Sequence, residues 1–212
     1  MNNINKTAVL GGGGRNGTYI VNQLLKQGFS IKLLLRNPES FSIQNDQIEI
    51  IKGDALDLEA VQLLLQDCQA VISTVGQRKD EPLVAGLATK NILEVMNRYG
   101  IDRYILLAGL NIDTPFDKKD TKTQMASDWM KTNFPLIQED RQKAYKLLEE
   151  STVSWTQVRV PFIEFTNSSS EIAISLENCL GDKINAHDIA AFMIREMQES
   201  KYSRKSPFIS AV

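Results

Sequence analysis

One glycine-rich segment near the N-terminus, Val9-Leu-Gly-Gly-Gly-Gly-Arg-Asn-Gly17, constrains the fold of this chain more than any other stretch. Thr7–Gly11 reads as a short apolar strand running into it. Beyond it, Ile20, Val21, Leu24 and Leu25 recur at helical spacing until Gly28 stops the helix. Gly11, Gly14 and Gly17 therefore form Gly-x-x-Gly-x-x-Gly at a strand–turn–helix junction, with Gly13, Arg15 and Asn16 filling the turn. Glycines permit the tight turn and let backbone N–H groups approach a pyrophosphate, while the positive end of the helix dipole favours the anion. A bare glycine pattern could equally be a flexible turn. The strand before it and the amphipathic helix after it give it weight.

The remainder alternates in the same way. Ser30–Leu35, Ile48–Ile51, Ala70–Thr74, Tyr104–Ala108 and Ser154–Val158 read as strands. Asp57 N-caps a helix carrying Leu58, Val61 and Leu65. Ala88, Ile92, Val95 and Tyr99 form a stripe closed by Gly100, and a long helix covers about 137–150. This alternation predicts an α/β chain with a Rossmann-like, doubly wound, mostly parallel sheet. From Asn111 to Gln124 the pattern breaks into a charged loop, and Pro161–Ser170 reads as irregular and Ser-rich. A short apolar stretch, Ile172–Ser175, follows. Asn185-Ala-His-Asp188 reads as a capping arrangement with Asp188 at the N3 position, and Phe208–Ile209 as a last short strand. With 212 residues and no Gly- or Pro-rich linker, one domain over 1–212 is expected, with acceptor-side elements at about 110–135 and 160–185.

Composition narrows the function. Lys and Arg number 24 against 26 Asp and Glu, a net charge of −2 without blocks of one sign, which excludes a strongly basic nucleic-acid binder. The longest apolar runs are too short to span a bilayer. Lys6 precedes an apolar stretch, but the glycines follow at once and leave no secretory h-region. Cys68 and Cys179 lie in no Cys-x-x-Cys, and His187 is the single histidine, so neither a zinc site nor a disulfide is expected. The expectation is a cytoplasmic protein without a metal, acting on a small molecule as a monomer or homodimer.

Further site residues follow from strand ends. Ligands of open α/β sheets bind at the carboxyl edge. There an acidic residue after the second strand would accept from the ribose 2′-OH of NAD. This chain has Arg36 instead, with Arg15 as a second cation, and guanidinium groups suit a 2′-phosphate. NADP(H) is therefore expected over NAD(H), unless Arg36 is only a solvated loop residue paired with Glu39. Gly53-Asp54 and Ser73-Thr-Val-Gly76 end the third and fourth strands, and Asp54 is read as an adenine contact rather than a mere helix starter. The Tyr-x-x-x-Lys pair and Ser of alcohol-acting short-chain reductases are missing. Counting back from Trp155, the Tyr and Lys slots fall on Ile137 and Arg141, and Leu107-Ala108-Gly109 carries no hydroxyl. Arg141 shares an apolar face, so it reaches either the cofactor or the surface. Asn111 is the nearest polar candidate at the acceptor. His187 reads as a helix-start residue, and Met125, Trp129 and Tyr145 as packing or lid residues.

Taken together, Val9–Gly17, Leu35-Arg36-Asn37, Gly53-Asp54, Val71–Gly76, Gly100-Ile-Asp-Arg103, Trp155–Pro161 and Ile184-Asn-Ala-His-Asp188-Ile-Ala carry a resemblance. The chain resembles the NmrA-like atypical short-chain dehydrogenase/reductases, and within them the flavin and biliverdin-IXβ reductases, over nearly its whole length. The resemblance implies a Rossmann-like fold and NADPH along Gly11–Gly17, Arg36, Asp54-Ala55 and Val75-Gly76, next to Thr74. It also implies a nicotinamide near Leu107, Ala108, Gly109 and Pro161–Ile163. Two departures stand out: the family's serine falls on Gly109, and its histidine on Phe162. They point away from biliverdin and toward hydride transfer to a flavin or quinone-like acceptor, whose proton solvent can supply. Phe162 would then stack on the acceptor ring. The missing hydroxyls also admit a protein that binds NADP(H) as a redox sensor without chemistry. A sugar-nucleotide epimerase is disfavoured by the same gaps and by length.

Overall fold

The structure, a computed structural model, describes residues 4–212. The chain runs β1 (Lys6–Leu10), α1 (Arg15–Lys26), β2 (Ser30–Leu35), β3 (Ile48–Lys52), α2 (Leu58–Leu65), β4 (Ala70–Ser73), α3 (Ala85–Tyr99) and β5 (Arg103–Gly109). There follow α4 (Thr121–Asn133), α5 (Pro135–Glu150), β6 (Ser154–Val160), β7 (Phe162–Glu164), β8 (Ile172–Ser175), β9 (Lys183–Asn185), α6 (Ala186–Glu199) and β10 (Phe208–Ala211). Eight strands form one sheet in the order β3-β2-β1-β4-β5-β6-β10-β8. All neighbours are parallel except β8, which runs antiparallel to β10; β7 and β9 form a small parallel pair apart. The doubly wound α/β fold expected from the strand–helix alternation is therefore present.

The central strands are apolar on both faces because both are covered. Ala8 and Leu10 of β1 join Val71, Tyr104 and Leu106 under α2, α3 and α5. Val9 between them joins Leu33, Ile72 and Ile105 under α1 and α6. These side chains are almost wholly buried, and a buried Leu or Ile is worth roughly 1.5–3 kcal/mol. Asp57 caps α2 as its sequence suggests, accepting from the N–H groups of Glu59 and Ala60.

Charged residues fasten the layers at two buried points. Arg103, at the start of β5, donates to the Glu196 carboxylate (2.9 Å) and carbonyl (2.6 Å) on α6. Burial pulls its pKa down to about 10 despite that carboxylate. Arg159 on β6 is fully buried and holds both oxygens of Asp117 (2.8 and 2.9 Å) and the Ile112 carbonyl (2.9 Å). Its guanidinium also lies 3.5 Å from the centre of the Phe208 ring. It thereby anchors the segment after β5.

That segment differs from expectation. The loop ends at Asp120, whose side chain accepts from the Thr123 N–H (2.8 Å) and caps α4. Pro161–Ser170 is not wholly irregular either, since β7 lies within it. The Asn185–Asp188 pair makes no side-chain cap at its helix. Asp188 instead accepts from Ser169 (3.0 Å), the Ser170 N–H (3.0 Å) and Asn185 (3.1 Å), so the pair ties the 166–170 segment to α6. Among the described residues no helix is long and apolar enough to cross a membrane.

Candidate active site

The order of the sheet reverses between β1 and β4, and their register places Leu10 opposite Ser73. Gly11 and Thr74 therefore leave the sheet side by side at its carboxyl edge. The Thr74 N–H donates to the Leu10 carbonyl (2.9 Å) and its hydroxyl to that of Gly11 (3.2 Å). Gly11 has φ +77°, and a Cβ there would lie 2.8–2.9 Å from Thr74, so both conformation and space demand glycine. Gly17 presses against the Gly11 carbonyl oxygen and the Gly12 Cα, leaving no room for a Cβ.

These contacts hold the start of α1 against the cleft with its first N–H groups bare. No side chain caps it, and no acidic residue stands in its first turn. The Asn16 Oδ1 is buried with no hydrogen-bond partner among the described residues. The neighbouring α3 contrasts sharply, because Asp140 of α5 accepts from its Ala85 (2.7 Å) and Gly86 (3.1 Å) N–H groups. A bare, glycine-lined helix N-terminus is an anion site.

The cleft has two lobes. The larger, about 660 Å³, is lined by Gly11, Gly13, Gly14, Arg15 and Arg36, by Asp54 and Ala55, and by Thr74, Val75 and Gly76. That volume suits a cofactor-sized ligand. Asp54 accepts from the Leu56 N–H (2.9 Å) and lies 3.5 Å from Arg36. The Arg15 guanidinium stacks 3.6 Å from the centre of the Phe165 ring. The second lobe, about 280 Å³, is walled by Leu107, Ala108, Gly109, Ile112, Pro161 and Ile163. Asn16, Thr74, Val75 and Gly76 line both lobes, so the two are continuous. Ile137 and Arg141 both line the second lobe. Burial lowers the pKa of Arg141, and Asp140 beside it offsets only part of that shift.

A family model described as NAD(P)H-binding matches residues 11–200, from the first glycine of the turn to the end of α6. The chain belongs to the NAD(P)H-binding family. The character of an atypical short-chain dehydrogenase/reductase read from its motifs fits that family. Among curated proteins, an uncharacterized chloroplastic protein of Arabidopsis thaliana is 26% identical over 118 residues, covering 51% of this chain and 42% of its own. Cinnamoyl-CoA reductase 2 of Medicago truncatula is 29% identical over 99 residues, 40% of this chain and 29% of its own. The chain thus spans less than half the length of these relatives. Among solved structures, ChuY, an anaerobilin reductase from Escherichia coli O157:H7, aligns with TM-score 0.80 at 17% identity, covering 97% of both chains. A short-chain dehydrogenase/reductase of Veillonella parvula in complex with NADP aligns with TM-score 0.79 at 14% identity, over 98% of this chain and 94% of that one. At such identities the likeness is one of fold.

Within this NAD(P)H-binding protein, the residues read as cofactor contacts line the cleft, with Gly17 directly behind the turn. Two acceptor candidates do not. Asn111 is buried, its amide turned to the Gln138 carbonyl oxygen while the Gln138 amide donates to the Asn111 carbonyl (2.8 Å). It clasps β5 to α5 and is not free for an acceptor. Phe162 is 73% exposed. Strand alternation sends Pro161 and Ile163 into the cleft and Phe162 outward. Phe162→Ala is accordingly expected to leave NADP⁺ affinity and turnover within about twofold, as surface substitutions do; a tenfold loss in either would restore it to the site.

Other readings changed partner. Arg36 pairs with Glu81, not Glu39, at 2.6 and 3.0 Å. His187 takes a hydrogen bond from Gln23 to its carbonyl (2.9 Å) at the start of α6. Tyr145 is buried edge-on against Trp155, whereas Met125 and Trp129 are exposed on α4. Sequence reasoning missed Phe165, Glu81 and Asp140. Each acts across long sequence separation, and only an aromatic close after β7 hinted at the first.

Proposed function

We propose that this protein is an NADPH-dependent oxidoreductase that reduces a flat acceptor of the flavin or quinone class. The observation that carries the reading is the continuous cleft, with the bare N-terminus of α1 in one lobe and apolar walls with Arg141 in the other. Gly11–Gly17 and the α1 N–H groups would hold the diphosphate, and Arg36 the 2′-phosphate. When bound, NADPH supplies the hydride. Ala108, Ile112, Ile137, Pro161 and Ile163 offer an apolar wall that excludes water and positions the acceptor ring. Arg141 donates a hydrogen bond to a carbonyl oxygen of the acceptor, where negative charge develops. With isoleucine in the Tyr slot and glycine in the Ser slot, the proton comes from solvent. A cytoplasmic setting suits the two unpaired, buried thiols.

The test is NADPH oxidation followed by absorbance with FMN, riboflavin and a simple quinone in parallel, NADH serving as comparison. Turnover with at least one acceptor and a preference for NADPH are expected, and Arg36→Asp should erode that preference. Saturable NADPH binding without turnover on any acceptor would replace the proposal with the sensor reading that the missing hydroxyls invite. Arg141→Leu should raise the KM for the acceptor about tenfold, the value of one charge-assisted hydrogen bond. An unchanged KM with weakened NADPH binding would instead place Arg141 at the cofactor.

A further inference from the structure

In the larger lobe the guanidinium of Arg36 is not free. Its two terminal nitrogens donate in parallel to the two oxygens of Glu81, at 2.6 and 3.0 Å. This side-by-side arrangement is the one a guanidinium makes with phosphate. Glu81 reaches it from the segment between β4 and α3. That segment is folded on itself: the Gln77 amide donates to the carbonyls of Arg78 (2.9 Å), Glu81 (3.1 Å) and Pro82 (3.2 Å). Asp80 takes up the left-handed region, φ +58°, to complete the turn. Arg78 lies 3.7 Å from the same carboxylate, and Glu81 itself lines the lobe beside Asn37 and Ser40. The guanidinium holds the Glu81 carboxyl below the usual carboxylate range, chiefly through these hydrogen bonds.

We propose that Glu81 is an internal occupant of the 2′-phosphate subsite, a carboxylate that competes with the phosphate of NADP(H) for Arg36 and thereby limits discrimination against NAD(H). The inference rests on reading the cleft as the dinucleotide site. Two anions cannot share one fork, so a 2′-phosphate takes the edge formed by the two terminal nitrogens only when Glu81 has swung out, and its affinity for that edge is scaled by the fraction of time the fork is open. A cofactor with a plain 2′-hydroxyl needs no such displacement. Both side chains are about one-third exposed, so the pair can open.

The test needs no acceptor and no turnover. The full chain is titrated with 2′,5′-ADP and with 5′-AMP, as wild type and as Glu81→Gln and Glu81→Ala. The ratio of the two affinities should move about tenfold toward 2′,5′-ADP in both variants. Two variants guard against an effect peculiar to one side chain. An unchanged ratio, or one that moves toward 5′-AMP, while the wild type still binds both, overturns this inference alone. Failure of the wild type to bind either nucleotide overturns the dinucleotide reading and this inference with it.

Discussion

Gly14→Asp should abolish dinucleotide binding while leaving the fold intact or slightly more stable. Gly14 sits at φ −84° and ψ 173°, ordinary extended backbone, and a Cβ there would meet only the Gly11 carbonyl oxygen, at 3.2 Å. It is the N-cap of a helix that has no side-chain cap and no acid in its first turn. Aspartate is among the best residues for that position, stabilising the helix by about a few tenths of a kcal/mol relative to glycine. Its carboxylate would take the N–H groups and the dipole field that the diphosphate needs, and would repel the phosphates. We expect at least a 100-fold rise in the Kd for NADP⁺, about 2.8 kcal/mol, with an unchanged or raised Tm. An affinity within threefold of wild type would remove the diphosphate from this turn.

Removing a buried cation should have the largest effect on stability. Arg159→Met keeps the unbranched stem but removes the guanidinium, leaving Asp117, only 10% exposed, with Thr114 and a Lys119 ammonium 3.5 Å away, and the Ser206 carbonyl without its donor. Breaking one side of a buried pair costs about 3–5 kcal/mol. For a domain of this length that is a fall in Tm of roughly 10 °C. Asp117→Asn in the same chain should recover part of the loss, because the carboxylate would have lost its shortest cationic contact and kept only Lys119, at 3.5 Å. A Tm within 1 °C of wild type for the single variant would show that the segment after β5 is held by other means.

The lobe built on the glycine turn was legible in the sequence for physical reasons that the other lobe lacks. Gly11 and Gly17 are demanded by a positive φ and by close backbone approach, and no other residue type meets those demands, so they leave a mark. The core strands, buried on both faces, read as apolar runs. By contrast, α4 exposes Met125 and Trp129 and has no clear apolar stripe, so only its cap at Asp120 could have announced it. Phe162 and Phe165 are equivalent as letters. A short, unexpected strand turns Phe162 toward water, while Phe165, just beyond the strand, lies beneath Arg15. The pairing of Arg36 with Glu81 spans 45 positions and leaves no local pattern at all.

Asp140 carries a consequence for direction. The helices that follow β1 and β4, α1 and α3, both begin at the carboxyl edge of the sheet beside the cleft, and either N-terminus could in principle attract a diphosphate. By accepting from the Ala85 and Gly86 N–H groups, the Asp140 carboxylate of α5 silences the pole of α3 from within. On the proposed reading, the bare N-terminus of α1 makes the cleft a one-way berth: a dinucleotide held there would place its adenosine toward Arg36 and its reactive ring toward Gly109. Arg141, the residue after Asp140 on α5, would then meet the end that reacts.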